Sequence, residues 1–449
     1  MKVCKFGGSS MATADQIKKI TAIILSDPTR RLIVVSAPGK RYPEDEKVTD
    51  LLIQLANQVL SMTDYQDCLD KIIGRFKEII TGLNLSAGFI VDIENDIKER
   101  IKKISLGAPK FIDLIKATGE DLAAKILAEY LKSINQETEY ISPWTIGMLL
   151  SDQPGNARLL ASSYKSLSVL KDIKTIGVVP GFFGFNEAGE VVTFARGGSD
   201  ITGSIISAAV DAKIYENYTD VDSVYVADPN IIKKPLPIAE ITYREMRELS
   251  YAGFTILHEE TLEPIHKKGI PIVIKNTNNP NMPGTMILPE YQNEQKSLSG
   301  IAGQKGFASI YLSKYLMNRE IGFGRKLLQI LEDEHISFDH TPSGIDNISV
   351  IVDADQLNPA IEEKLLFRLK EELKVDHAAI DKDLAVIMVV GEFAMKDYAF
   401  AKVSKALETA KINVKILSQS AFGVSLMVGI TAKDLNKAIK AIYSAFYLE

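Results

Sequence analysis

Val3-Cys4-Lys5-Phe6-Gly7-Gly8-Ser9-Ser10 lies at the start of the chain. Val3 to Phe6 read as a short strand. Gly7 and Gly8 follow, with no Cβ to hold a bulky anion away from the backbone. Thr13-Ala14-Asp15-Gln16 fits a capping box, with Thr13 as N-cap and Gln16 reaching back. Ile17, Ile20 and Ile24 continue as the apolar stripe of a helix. The unit is strand, Gly-Gly-Ser-Ser turn and helix, with free N–H groups and a positive dipole end near the turn. Lys5, at the strand end, is within reach of a phosphate held there. Read alone, the stretch also fits a tight turn with a surface lysine.

Working outward, Leu32 to Ala37 is a continuous apolar run of buried-strand length, broken by Pro38-Gly39. Arg41 to Lys47 is polar and reads as an exposed loop. Residues 48–134 read as helices. Leu52, Leu55 and Val59 form one stripe, Ile72, Ile73, Phe76 and Ile80 a second, and Ile93, Ile97 and Ile101 a third. So many helices between strands imply a helical lobe set into an α/β sheet, and such lobes often cover a site. Alternation resumes with a strand at Thr175–Val179, a hairpin turn at Asn186–Gly189 and a strand at Val191–Phe194. A helix to Val210, a strand at Lys213–Tyr218, two helices near 242–252 and 258–268, and a strand at Pro271–Ile274 follow. Polar residues around 290–297 read as a linker.

Beyond about Gly306 the sequence repeats. Gly324–Ser337 (GRKLLQILEDEHIS) aligns with Phe400–Asn413 (FAKVSKALETAKIN) at an offset of 76 residues. Leu331 and Leu407, Ile336 and Ile412, and Ser349 and Ser425 match at the same offset. Each copy reads as a small ferredoxin-like βαββαβ pattern.

The 449 residues suffice for two or three domains. With 46% hydrophobic and 24% charged residues the chain is not of disordered composition. A net charge of −6 and a pI near 5.6 offer no broad basic field for nucleic acid or an anionic membrane. Cys4 and Cys68 have neither metal-ligand spacing nor a disulfide framework, which points to a reducing compartment. The first residues run into a strand rather than a signal peptide, and no apolar run has transmembrane length.

No Walker A motif and no HRD or DFG pair occur, so neither a P-loop enzyme nor a protein kinase is indicated. Three anion-friendly turns remain. The first is Gly7-Gly8-Ser9-Ser10. The second is Arg196-Gly197-Gly198-Ser199-Asp200, where Arg196 offers a fork for a carboxylate and Asp200 can face an ammonium or a metal-bound phosphate. A plain turn with Ser199 or Asp200 capping a helix is the simpler reading. The third is Thr219-Asp220-Val221-Asp222-Ser223-Val224-Tyr225, followed by Asp228-Pro229; it fits either a nucleotide contact or an ordinary loop.

KFGGSS at 5–10, VSAPG at 35–39, TGE at 118–120, PGFFG at 180–184, ARGGSD at 195–200 and TDVDSVYVADP at 219–229 resemble, in this order, the aspartate kinases of the amino-acid kinase superfamily. The resemblance covers essentially the whole chain. It implies an α/β, three-layer αβα amino-acid kinase fold with a helical lobe over 1–292. Two ferredoxin-like ACT modules would follow over 293–449, one at about 306–383 and one built from 297–305 plus 384–449. The implied reaction moves the γ-phosphoryl group of ATP to the β-carboxylate of L-aspartate, with Mg²⁺ bound through the nucleotide phosphates and no dedicated metal site on the protein.

Residue by residue, the resemblance makes Lys5 the contact to the transferring phosphoryl group and Asp200 its positioning partner. Gly7, Gly8 and Ser9 would meet phosphates. Arg196 would hold the substrate α-carboxylate and Glu120 its ammonium, with Ser36, Thr49, Phe182 and Ser199 lining the amino-acid pocket. Thr219, Asp220 and Tyr225 would meet the nucleotide. Four positions depart from the family pattern. The loop between Ser36 and Thr49 is long, Ser223 stands where a glycine is usual, Asn230 replaces an arginine, and Thr255 replaces a lysine. Lys275 is the candidate to replace the lost cations. In the first ACT module, Met317, Gly322, Phe323, Ser337, Phe338, Asp339 and Ser343 resemble a lysine-binding site, with threonine the rival effector. A cytoplasmic homodimer or higher oligomer, joined through ACT modules, is the implied setting. Two other readings stay open: a same-fold kinase of another amino acid or carbamate, and a non-catalytic ACT sensor of amino acids.

Overall fold

The computed structural model describes residues 1–448 except 196, 255, 256, 258, 292–297, 392–398 and 420–422. The chain divides into two compact units. The first comprises residues 1–224, 237–243 and 255–291, and the second residues 225–236, 244–254 and 292–449.

The first unit opens with β1 (Lys2–Phe6), α1 (Ala14–Leu25) and β2 (Arg30–Val35). Thr13 caps α1 by accepting the Gln16 N–H through its hydroxyl. The return half of the expected capping box is missing, because the Gln16 amide donates to Asn278 Oδ1 at 3.0 Å instead. The lobe is α2 (Val48–Leu60), α3 (Gln66–Gly82), α4 (Ala87–Ile101) and α5 (Ala108–Ser133). Ile72, Phe76 and Ile80 of α3 are fully buried in one core with Leu52 and Leu55 of α2 and Ile115 of α5. Each such side chain contributes roughly 1.5–3 kcal/mol by leaving water.

Then come β3 (Thr138–Tyr140), α6 (Ser163–Leu167), β4 (Ile176–Pro180), the hairpin β5 (Phe183–Phe185) and β6 (Val191–Thr193), α7 (Gly198–Ala209) and β7 (Tyr215–Thr219). Next are β8 (Glu240–Thr242), α8 (Tyr243–Tyr251), which from Arg244 belongs to the second unit, α9 (Leu262–His266), β9 (Ile272–Asn276) and β10 (Thr285–Leu288). The eight-stranded sheet has the order β3-β4-β2-β1-β7-β9-β10-β8. Every pair is parallel except β9 with β10. β1, β2, β4 and β7 are almost wholly buried, as strands covered on both faces must be.

The second unit continues with β11 (Gly300–Ser313), α10 (Phe323–Asp333), β12 (Asn347–Asp353), α11 (Pro359–Leu373), β13 (His377–Val390), α12 (Ala399–Thr409), β14 (Val414–Gln419), β15 (Ser425–Ile430) and α13 (Leu435–Tyr447). They form one antiparallel sheet of order β12-β11-β13-β15-β14. The repeat is visible as strand-helix-strand-strand-helix, with one difference. In the first copy the segment between α10 and β12 makes only isolated bridges, His340 to Ile351 and Ser343 to Ile348, where the second copy has the full strand β14. β11 and β13 each run 14 residues and pair along their length, with a register irregularity near Gly306, whose φ is 97°. Phe307–Ser313 pairs with β12 on its other edge, while Ala385–Val390 pairs with β15. Leu327 and Leu331 of α10 and Leu365 and Leu369 of α11 pack with Ala308, Ile310, Val350 and Val352 as one core.

Candidate active site

β1 lies between β2 and β7, so the sheet grows to one side of β1 first and to the other side later. In open parallel sheets the crevice for ligands lies at the carboxyl ends of the strands where that reversal falls. A cleft of about 940 Å³ opens there, within the first unit. Its walls are the segments that leave four strands: Gly7–Ser9 after β1, Ser36–Lys40 after β2, Phe182 after β4, and Thr219 and Asp220 after β7. The first turn of α7 adds Ser199 and Asp200, α2 adds Thr49, and α5 adds Lys116 and Glu120.

At its floor the Lys5 ammonium lies 2.6 Å from Asp200 Oδ1, with both side chains largely buried. Asn217 pairs in register with Lys5 on the neighbouring strand, and its Nδ2 donates to the same Asp200 oxygen at 2.9 Å. The expected partnership of Lys5 and Asp200 is thus present, and Asn217 joins it. A polar pair, Glu216 and Asn217, between two tyrosines of a buried strand was its signal in the sequence.

The first glycine turn is a short 3₁₀ turn, Gly8–Met11. Gly7 has an ordinary negative φ, so conformational freedom is not its reason. A 3₁₀ turn leaves its first N–H groups, those of Gly8 and Ser9, without acceptors inside the turn. Gly8 is needed for close packing. Gly39 N–H donates to Gly8 O at 2.7 Å, and a Cβ on Gly39 would sit 2.7 Å from Gly8 C. The turns after β1 and β2 therefore touch backbone to backbone.

The second turn uses its glycines differently. Gly197 caps α7 in the left-handed region at φ 83°. A Cβ on Gly198 would meet Phe182 and Phe194 at 2.8 Å. Neither Ser199 nor Asp200 caps the helix with its side chain, so both are left to face the cleft. Arg196 lies outside the described residues. Phe182 has φ 76°, a strained value for an aromatic residue. The Thr202 hydroxyl accepts its N–H at 3.0 Å, and its carbonyl accepts the Phe194 N–H.

Glu120 is buried on α5, and its Oε2 accepts no hydrogen bond among the described residues. Burial pushes its carboxyl up to about 7, against backbone N–H groups of Ala37 and Glu120 and the charges of Lys116 and Lys5.

The loop after Gly39 is largely exposed, as expected, with Asp45 the buried exception. Asp45 is buried and paired with Arg41 at 2.9 Å and with Arg75 of α3 at 3.0 Å. Hydrogen bonds from the Arg41 guanidinium hold its carboxyl well below the usual carboxylate range. Arg75 also donates to Gly39 O at 2.7 Å and Glu46 O at 2.8 Å. The lobe therefore grips the loop that abuts the Gly8–Met11 turn. An arginine set between Ile72 and Phe76 on a buried stripe was the available signal.

Of the residues expected to meet a nucleotide, Thr219 and Asp220 line the cleft. Ser223 is buried and lacks a positive φ, so serine is unstrained there. Tyr225 falls in the second unit. Asn230 is exposed and bonds back to Asp228 through both N–H and Nδ2. Thr255 lies outside the described residues. Lys275 pairs with Tyr218 across β7 and β9, which puts it on the opposite sheet face from Asn217 and Lys5, and it does not line the cleft.

In the second unit, Met317 and Phe323 are buried, Gly322 caps α10 at φ 81°, and the Lys314 ammonium lies 5.7 Å from the Phe323 ring centre. Ser337 donates from its N–H and hydroxyl to Gln356 Oε1. Phe338 is largely exposed, Asp339 N–H donates to Ile351 O, and Ser343 forms a bridge with Ile348.

The family model for the amino acid kinase family matches residues 1–276, and one for an ACT domain matches residues 387–446. The chain belongs to the amino acid kinase family. It is 43% identical to aspartokinase 3 of Bacillus subtilis (strain 168), over all of this chain and 99% of that one. The aspartate kinase of Clostridium acetobutylicum shares its structure with TM-score 0.85 and 37% identity, over 99% of this chain and 100% of that one. The E. coli aspartokinase III in complex with aspartate and ADP shares the fold at TM-score 0.81 and 22% identity, each chain covered in full. This chain is an aspartate kinase with a C-terminal ACT domain.

Proposed function

We propose that the enzyme transfers the γ-phosphoryl group of ATP to the β-carboxylate of L-aspartate and forms 4-phospho-L-aspartate, the first step toward lysine, threonine and methionine. The observation that carries this reading is the buried Lys5–Asp200 pair. It stands between a glycine turn with open N–H groups and the wall bearing Glu120 and Phe182. The β-carboxylate is ionised near neutral pH and needs no general base. Catalysis is then positioning plus neutralisation of charge on the transferring group. Lys5 supplies that charge, Asp200 and Asn217 aim it, and the Gly8 and Ser9 N–H groups meet phosphate oxygens. Glu120 receives the substrate ammonium, and Arg196 receives its α-carboxylate. Mg²⁺ travels on the nucleotide phosphates. The carboxylate of Asp220, which among the described residues accepts only the Thr219 hydroxyl, suits its hydration shell. Incubation with ATP and aspartate in the presence of hydroxylamine tests the reaction. Aspartyl hydroxamate is expected, and its absence, or equal product from glutamate or carbamate, would sink the reading.

We also propose lysine as the feedback effector, bound at the start of α10 and the segment from Ser337 to Ser343. The E. coli aspartokinase III of the same fold is also known in complex with lysine and aspartate (TM-score 0.74, 22% identity), which supports the choice. Regulation of this kind couples sites by roughly 1–3 kcal/mol. Aspartate kinetics unchanged in saturating lysine would remove it. The division at about 292, the two ACT modules at 306–383 and 297–305 plus 384–449, pairing of subunits through them, and a cytoplasmic location complete the proposal. Among the described residues no helix is long and apolar enough to cross a membrane.

A further inference from the structure

Glu120 poses an electrostatic problem. Its carboxyl is buried, one oxygen lacks any hydrogen-bond partner among the described residues, and burial favours its neutral form. A neutral carboxyl cannot form an ion pair with an ammonium group. One helical turn earlier on α5, Lys116 reaches the same cleft.

Lys116 is fixed in place. Its ammonium lies 3.0 Å from Asp113 Oδ1 and 3.2 Å from Thr193 Oγ1, and 5.5 Å from the centre of the Phe182 ring. Asp113 is itself anchored, because its other oxygen accepts the N–H groups of Gly155 and Thr193 at 2.8 and 2.7 Å. The Lys116 side chain is only 14% exposed, so its charge is poorly screened. Asp113 lies two helical turns before Glu120 and Lys116 one turn before it. The pair therefore turns its positive end toward Glu120.

We propose that Lys116 is a positioning residue for the amino-acid substrate, acting through Glu120: its fixed charge keeps that carboxylate ionised to receive the substrate ammonium. The last step rests on the aspartate reading above; the electrostatic step does not.

Among the described residues, the other charged groups around the cleft are Lys5 from β1, Asp200 from α7, Asp220 after β7, Lys40 and Lys47 on the loop before α2, and Asp50 on α2. Lys5 is engaged by Asp200, which offsets its field at Glu120. Among the described residues, Lys116 is thus the cation whose removal should be felt most at Glu120.

The test is a ¹³C NMR titration of the glutamate carboxyls in the full chain, with Glu120 assigned through Glu120→Gln. Lys116→Met and Lys116→Arg are compared with wild type. A double variant, Lys116→Met with Asp113→Asn, avoids an unpaired buried carboxylate while keeping an acceptor for Gly155 and Thr193. Glu120 is expected to titrate about one pH unit higher in Lys116→Met and in the double variant, and close to wild type in Lys116→Arg. The acid limb of kcat/KM for aspartate should move by the same amount, with KM for ATP unchanged. An unmoved Glu120 titration in the double variant overturns the proposal. So does a moved titration with an unmoved aspartate profile. A rise in KM for aspartate that is equal at every pH would make Lys116 a direct contact and overturn it too. If wild type makes no acyl phosphate from aspartate, the proposed function falls and the positioning role with it. The NMR titration still decides whether Lys116 governs the charge of Glu120.

Discussion

Lys5 Nζ and Asn217 Nδ2 converge on one oxygen, Asp200 Oδ1, at 2.6 and 2.9 Å. Two adjacent strands thus fix a carboxylate on the first turn of α7, and that carboxylate aims the lysine. Replacing Lys5 with alanine should lower kcat by about 10²–10³, the loss typical of a transition-state electrostatic donor. Steady-state kinetics decide it, and a variant with wild-type turnover would refute the central role of Lys5.

Asn217→Ala removes the second donor while leaving Lys5 in place. A net hydrogen bond to a charged group is worth about 1.5–3 kcal/mol, so kcat should fall by roughly 10- to 100-fold. KM for aspartate should change little. A kcat within twofold of wild type would show that Lys5 alone suffices to hold Asp200.

Gly39→Ala and Gly74→Ala form a matched pair. A Cβ at Gly39 meets the backbone of Gly8 at 2.7 Å, whereas one at Gly74 on α3 meets nothing within 4 Å. Gly39→Ala should raise KM for ATP at least about tenfold by displacing Gly8 and Ser9. Gly74→Ala should leave kinetics alone and add about 0.5–1 kcal/mol of stability. Thermal unfolding and ATP titration read both.

Arg75→Ala leaves Gly39 O, Glu46 O and Asp45 without their donor from α3. Breaking a buried pair of this kind costs about 3–5 kcal/mol, though Arg41 still faces Asp45 and should hold the loss to the low end. Urea unfolding measures the stability. ATP affinity should weaken as well, because the loop that abuts Gly8 loses its anchor. Loss of stability with unaltered ATP affinity would separate the clasp from the site.

Glu120 ties stability to pH. Its folded value of about 7 lies above the ordinary 4.5, so its contribution is fully present below about 4.5 and is lost as pH rises through about 7. Glu120→Gln removes the cost of the buried charge. The variant should therefore gain stability over wild type between pH 5 and 8, by up to about 3 kcal/mol, while losing aspartate binding. A stability difference that does not vary with pH would contradict the raised value.

Local features were legible in the sequence. The strand, glycine turn and helix at residues 3–24 depend on neighbours, so residue types and spacing suffice to read them. The repeat was legible for the same reason, since its helix stripes recur at a constant offset. What escaped depends on distant partners. Arg75 and Asp45 meet only because α3 folds over the loop, and neither residue type alone tells of the other. Asn217 needs the register of β1 against β7. Lys275 was a reasonable cation for the nucleotide until the pairing of β9 with β7 turned it to the other face. Gly7 and Gly8 read as leaving room for an anion; the close neighbour that spacing could not show at Gly8 is Gly39, from the turn after β2.

β11 and β13 each serve both copies of the repeat, on either side of the irregularity at Gly306. Neither copy can be cut out of the gene as one contiguous piece, because an excision that spares one half still severs a strand the other half uses. Recombination can therefore exchange the pair only as a block. A frameshift or stop codon after β13 would remove β14 and β15 and leave Ala385–Val390 without its partner strand, with open N–H and C=O groups offered to any passing chain. Inheritance of this region is all or nothing.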